Sequence, residues 1–418
     1  MIKLPRPRRI DLESGATLLY QGNPLSRSTA FGLWISRGSR DEGDGERGFS
    51  HALEHMVFRG TGRRSAMDIA LELESIGGQW DAYTGKESTC YHGRALEEHF
   101  GTLVDIFSDM TLAPSIEARP LRTELRVIRE EIRSIEDSPE DAVFELFYRT
   151  LFAGTQLGHP VAGTLGDISR IGREALLDFH RRTYTARNAV LGFIGNIGPG
   201  KAARVIEGSF DFARKGRKRK HPGETFGRAR SRTLRREDWA QSHVCIGSRT
   251  VSASDPARLP VLLLSGILGG GVSSRLFQRL REETGLAYSV FSHVNFWRDT
   301  GALSVYFSVD PRNLARALDI FYSTVRELER DGIEPRELES SREQIKGSIV
   351  FNLENVETRL LKLFHDEFHH GRYLHAPSML AALDRVTAED VTEAARTFFN
   401  PDGLTRIVCG PRRGGTGR

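Results

Sequence analysis

Residues 237–418 lay out nearly the same order of strands and helices as the first two hundred residues, which restricts the chain to a fold made of two similar halves. In the first half, Ala16–Tyr20 and Thr29–Ile35 alternate or run apolar with β-formers and are predicted strands. A glycine- and charge-rich loop over 37–48 leads to a helix over Phe49–Phe58. A second helix over 65–76 starts at the N-cap Ser65 and stops at Gly77-Gly78. Trp80–His92 reads as a strand. Helical patterns follow over 97–112, 120–135, 140–150 and 167–183, and then a strand over Asn188–Ile194. The second half gives a strand over Ser242–Gly247, helices over 257–268 and 273–283, and strands over Ala287–Phe296 and Gly301–Val309. Helices over 311–330, 334–366 and 388–399 and a closing strand over Thr405–Cys409 complete it. The repeat is one of element order rather than of visible sequence identity.

The 418 residues exceed the size at which a single core stops growing, so two α+β domains are expected, at 1–211 and 237–418. The join, 212–236, carries the run Arg214, Lys215, Arg217, Lys218, Arg219, Lys220 ahead of Pro222 and Gly223. Such a run neutralises phosphates in nucleic-acid binders. Here no aromatic platform is interleaved, and the run sits where a linker is needed, so an exposed basic hinge is the reading and no nucleic-acid partner is expected. The net charge of +4, from 59 basic and 55 acidic residues, is too weak a bias to change that. Cys90, Cys245 and Cys409 are far apart, odd in number and without CxxC spacing, so neither a disulfide scaffold nor a thiolate zinc site is readable. The N-terminus lacks an apolar core of signal-peptide length, and stretches such as Leu259–Leu268 are too short to span a bilayer. A cytoplasmic protein without membrane contact is expected.

The segment HALEH sets His51, Glu54 and His55 at i, i+3 and i+4, on one face of a helix. Two neutral imidazoles one turn apart can hold a zinc ion, leaving room for a third ligand and a water. Glu54, on the same face, can take a proton from that water and pass it to a leaving amine. The pattern arises by chance in only about a few per cent of such sequences. Its flanks, Phe49, Ala52, Leu53, Met56, Val57 and Phe58, mark a buried helix, where polar groups need partners. TELRVIREEI offers carboxylates for the third position. Glu124 and Glu131 are two turns apart and face the same way, so Glu131 could bind the metal while Glu124 steadies a ligand histidine. The residues alone leave Glu130 and Glu136 open.

HALEHMVFRGT, ESIGGQWDAYTGKESTCYH and ELRVIREEIRSIEDSP together resemble the pitrilysin family of zinc peptidases, nearest the branch of the mitochondrial processing peptidase β subunit and its bacterial relatives. The resemblance covers almost the whole chain. It implies two homologous α+β domains, each a mixed, mostly antiparallel sheet flanked by helices, and one Zn2+ per chain. The metal ligands fall on His51, His55 and Glu131, the catalytic glutamate on Glu54, and the supporting glutamate on Glu124. RLREETGLAY supplies the family's arginine and tyrosine as Arg281 and Tyr288, donors suited to a developing oxyanion.

The family's substrate strand falls on Gly78, Trp80, Asp81, Ala82 and Tyr83, where an extended peptide adds to a sheet edge. Asp81 stands where the family usually has Asn, and a carboxylate cannot donate as an amide does. The resemblance further implies chains paired into a clamshell. Because this chain carries both the metal set and the Arg/Tyr pair, a homodimer is the simpler expectation and a heterodimer the alternative. The expected activity is that of a metalloendopeptidase on unfolded peptides. A catalytically idle peptide-holding subunit is the rival, disfavoured because ligands and base are all retained.

Overall fold

The computed structural model describes residues 5–216 and 231–411. In chain order the strands are β1 (Arg8–Asp11), β2 (Thr17–Gly22), β3 (Ser28–Ile35), β4 (Gln79–Thr84), β5 (Thr89–Leu96) and β6 (Ala189–Gly195). They continue as β7 (Ser231–Arg235), β8 (Ser242–Thr250), β9 (Ala287–Phe296), β10 (Gly301–Val309) and β11 (Thr405–Gly410). The helices begin with α1 (Phe49–Val57), α2 (Ala66–Ser75), α3 (Phe100–Leu112), α4 (Ala118–Asp137) and α5 (Pro139–Leu151). Next come α6 (Leu165–Ile168), α7 (Arg173–Thr183), α8 (Pro199–Ser209), α9 (Arg258–Gly269) and α10 (Arg275–Phe277). The last are α11 (Leu314–Asp331), α12 (Pro335–Glu354), α13 (Val356–His370), α14 (Ala376–Asp384) and α15 (Ala388–Phe398).

These elements pack into two compact units. The first takes 5–133, 159–216 and 352–373, the second 134–158, 231–351 and 374–411. Relative to a cut at 212–236, residues 134–158 and 352–373 change sides. Each unit is built on one mixed, mostly antiparallel sheet. The first has six strands in the order β1-β2-β6-β3-β5-β4, with β2 and β6 its parallel pair. The second has five in the order β7-β11-β8-β10-β9, with β7 and β11 parallel. This is the expected fold class, in duplicate.

One face of the first sheet packs its apolar residues, among them Phe31, Leu33 and Phe193, on Leu53, Met56, Leu103, Phe107 and Ile128. The other face is closed by α13, whose Leu360, Leu363 and Phe364 lie on Ala30, Trp34, Cys90 and Ile194. Gly192 makes this approach possible, since a Cβ there would meet Leu360 at 2.6 Å. In the second unit α9, α11 and α15 cover one sheet face. On the other face α5 packs Val143, Phe147 and Leu151 against Trp239, Cys245, Ala302, Tyr306 and Ile407.

Two element expectations are corrected. Trp80–His92 is not one strand but parts of β4 and β5, joined by a turn in which the Gly85 N–H donates to Ser88 at 2.8 Å. The single helix expected over 334–366 breaks at Asn355. That residue is extended, and its side chain caps the N–H groups of Glu357 and Thr358 to start α13. Among the basic run, Arg217, Lys218, Arg219 and Lys220 lie outside the described residues. Among the described residues no helix is long and apolar enough to cross a membrane.

Candidate metal centre

Helix α1 owes its place to apolar residues on its inner side. Phe49, Ala52, Leu53, Met56 and Val57 are buried, and the Phe49 ring meets Phe179 of α7 at 5.7 Å. Its first turn is received by Glu42, whose carboxylate accepts the Gly48 N–H at 2.8 Å and the Ser50 N–H at 2.7 Å, two of the donors a helix start leaves unpaired. On the remaining face stand His51, Glu54 and His55, all partly buried. Helix α4 lies opposite, held by Leu121, Leu125, Ile128 and Ile132, and it brings up Glu124 and Glu131.

The Nε2 atoms of His51 and His55 lie 3.8 and 3.6 Å from one oxygen of Glu131. One ligand atom from each of the three residues falls within 4.8 Å of the other two, the only such group among the described residues. Donors around a tetrahedral zinc ion sit roughly 3.3–3.5 Å apart. The three groups therefore converge at about metal-ligand spacing, at distances too long for direct hydrogen bonds, and the donor set of two imidazoles and a carboxylate fits zinc. Glu130, left open by the sequence, points to solvent and pairs with Arg133 at 2.5 Å, and Glu136 is exposed.

The supporting contacts separate the two histidines. Glu124, with only 3% of its side chain exposed, lies 3.3 Å from His55 Nδ1 and is held by Arg59 at 2.8 Å. With Nδ1 donating to that carboxylate, the Nε2 lone pair is turned toward Glu131. His51 Nδ1 is buried and has no hydrogen-bond partner among the described residues. Burial, and secondarily the neighbouring His55, lowers the His51 pKa to about 4, so its imidazole is neutral at physiological pH, the form that binds a metal. Burial also raises the Glu54 carboxyl above its usual range, opposed by a hydrogen bond from Thr84 Oγ1 at 2.5 Å. No pattern in the sequence singles out Thr84 or Arg59, since both act across long chain separations.

Trp80, Asp81, Ala82 and Tyr83 lie on β4, which is the edge of its sheet, and Gly78 immediately precedes it. Trp80 stacks on Phe58 at 5.3 Å. Asp81 faces His92 across the β4–β5 pair, and its Oδ1 accepts the N–H of Ala82 at 2.8 Å. Arg281 and Tyr288 belong to the second unit, where they meet each other. Arg281 sits in a π-helical turn, Gln278–Glu282, its guanidinium 4.9 Å from the rings of both Phe277 and Tyr288, and it donates to the Tyr288 carbonyl at 2.8 Å. Tyr288 is 75% exposed, on edge strand β9.

Residues 17–165 match the family described as Insulinase (Peptidase family M16), and residues 170–345 match the Peptidase M16 inactive domain. The chain belongs to peptidase family M16. It is 33% identical to an uncharacterized zinc protease of Bacillus subtilis over 96% of this chain and 98% of that one. It is 35% identical to an uncharacterized zinc protease of Mycobacterium tuberculosis over 94% and 91%. A crystal structure of a Helicobacter pylori protease has the same fold, with a TM-score of 0.90 at 20% identity over 98% of this chain and all of that one. Family and motif together make this M16 chain a metalloendopeptidase with a His/His/Glu zinc cluster.

Proposed function

We propose that this M16 chain cleaves extended, unfolded peptides internally, at the centre formed by His51, His55 and Glu131, with Glu54 as general base. The observation that carries the reading is the convergence of those three ligand atoms within 4.8 Å, with the Glu54 carboxylate on the same face of α1. Zinc held there supplies a Lewis acid that polarises a carbonyl and acidifies water. Glu54 accepts the proton of the attacking water and delivers it to the leaving amine; a carboxyl raised by burial suits both steps. Glu124 holds the His55 ring in the tautomer that presents Nε2. Arg281 and Tyr288 are assigned to the substrate carbonyl as hydrogen-bond donors.

The peptide is read as an added strand on β4, along Gly78, Trp80, Asp81, Ala82 and Tyr83, where backbone hydrogen bonds favour extended conformation over side-chain identity. The proposal includes a homodimeric clamshell, kinship with the processing-peptidase β branch and a cytoplasmic location, all three resting on sequence. It keeps 1–211 as the zinc-bearing domain and 237–418 as the domain of the Arg/Tyr pair. The test is cleavage of a quenched, unstructured peptide library by wild type and Glu54→Gln, with a metal assay of both. Glu54→Gln should hold near-stoichiometric zinc and lose about 10²–10⁴-fold in kcat. Two zinc-loaded proteins that both fail to cleave would point to the idle-subunit reading, and two metal-free ones would overturn the centre itself.

A further inference from the structure

Glu54 is held from outside its own helix. Thr84 Oγ1 donates to Glu54 Oε2 at 2.5 Å, and among the described residues no hydrogen bond engages Oε1. Thr84 is the last residue of β4, paired with Thr89 across the hairpin, and the turn that follows is pinned at several points. The Ser39 N–H donates to the Gly85 carbonyl at 3.1 Å, the Arg40 N–H to the Lys86 carbonyl at 2.7 Å, and the buried Arg40 guanidinium to Glu87 at 2.7 Å. Thr89 Oγ1 donates to the Arg37 carbonyl at 3.1 Å. Glu42, in the same loop, accepts the N–H groups of Gly48 and Ser50 at the start of α1, and Glu54 stands one turn beyond Ser50 along that helix. Strand end, loop and helix thus form a closed circuit whose last link is the bond between Thr84 and Glu54.

A threonine in a strand has few χ1 choices, so a fixed backbone there fixes the hydroxyl. A glutamate has three χ angles, and on a partly exposed helix face its carboxylate would otherwise sample several rotamers. Proton transfer by a general base demands hydrogen-bond distance and aim, and a misplacement of about 1 Å costs on the order of a hundredfold.

We propose that Thr84 is the positioning residue of the base: it clamps one oxygen of Glu54 and so aims the other. The inference rests on the reading of Glu54 as general base. Because Thr84 ends the strand assigned to the peptide, docking and base alignment share one element.

The test compares Thr84→Val, which keeps the shape and loses the donor, with Thr84→Ser, which keeps the donor. Thr84→Val should retain near-stoichiometric zinc and lose about tenfold to a hundredfold in kcat, with KM within about threefold of wild type. Thr84→Ser should recover kcat to within about threefold. The proposal is overturned if Thr84→Val stays within about twofold of wild type, if the loss lies in KM, or if Thr84→Ser fails as Thr84→Val does. Crystal structures of wild type and Thr84→Val give a readout independent of turnover. A Glu54 carboxylate that leaves its wild-type rotamer in the variant supports the clamp, and one that stays put overturns it. Those structures decide the clamp even if wild type cleaves no peptide, an outcome that would count against the peptidase reading alone.

Discussion

Helices α1 and α9 occupy the same place in their two units and do different things. Each follows a central antiparallel strand, β3 or β8, and leads through a further helical segment to a glycine at φ +60°, Gly77 or Gly285, and on to an edge strand, β4 or β9. Helix α9 is filled with apolar residues, and Val261, Leu263, Leu264, Ile267 and Leu268 are all buried. Helix α1 spends three partly buried positions on His51, Glu54 and His55. The architecture needs only the apolar stripe; the polar stripe is a cost that a metal repays. The cost is visible in the His51 imidazole pushed down by burial and the Glu54 carboxyl pushed up.

The same substitution in the two helices should therefore fail in opposite ways. His55→Ala should empty the zinc site and drop peptide cleavage to background, as a chelator should with wild type, and added zinc should rescue only the chelated protein. Leu264→Ala, at a fully buried site, should keep its zinc and lose about 2–5 kcal/mol of unfolding free energy. Metal analysis and denaturant melts read both variants. The contrast collapses if His55→Ala still binds zinc, or if Leu264→Ala is emptied of it while still folded.

The starts of the two helices differ as well. Helix α9 is preceded by the N-cap Ala257, which offers no side-chain cap, whereas the start of α1 rests on the buried carboxylate of Glu42. Burial pushes that carboxyl up to about 8 from 4.5, against the two backbone N–H groups it accepts. The folded state thus binds this proton more tightly than the unfolded chain. The stability contributed by Glu42 is fully present below pH 4.5 and is lost as pH climbs through about 8. Melting curves of wild type and Glu42→Gln across that window should diverge, wild type falling relative to the variant as pH rises. The shift should be roughly 2–4 °C for each kcal/mol involved. Parallel curves would mean that Glu42 stays ionised throughout, its two backbone bonds outweighing burial.

What the sequence disclosed depended on the range of the interaction. The spacing of His51, Glu54 and His55 lies within one helical turn, so it was legible without any structure. The choice of Glu131 over Glu130 was not legible from the residues, because adjacent positions on α4 differ only in which way they face and the opposite helix decides which matters; the family resemblance had to name it. The β4–β5 hairpin is not legible because the residues 85–88 carry no strong turn signature, and their one local bond, from the Gly85 N–H to Ser88, is joined by bonds from the distant backbone of residues 39 and 40. Nor can periodicity say which sheet a helix covers. The residues 134–158 that hold α5 and 352–373 that hold α13 look like ordinary amphipathic segments of their own halves, yet each packs in the other unit. Thr84 and Arg59 carry no local signal for the same reason, their partners lying 30 and 65 residues away.

Where the two units agree, equal and small effects should follow. Gly77 and Gly285 both sit at φ +60°, both donate their N–H to a carbonyl of the preceding turn at 2.9 Å, and neither has an atom within 4 Å of a Cβ placed on it. Space is thus no obstacle to a side chain at either position, and the backbone conformation alone resists one. Gly77→Ala and Gly285→Ala should each cost about 1–2 kcal/mol, the left-handed penalty of an L-residue. The asparagine variants should cost less, since Asn adopts that region more readily. Denaturant melts of the four variants measure this. A Gly77→Ala cost well above that of Gly285→Ala would mean that the turn before β4 carries strain the turn before β9 does not. The duplication would then have diverged in its backbone as well as in its side chains.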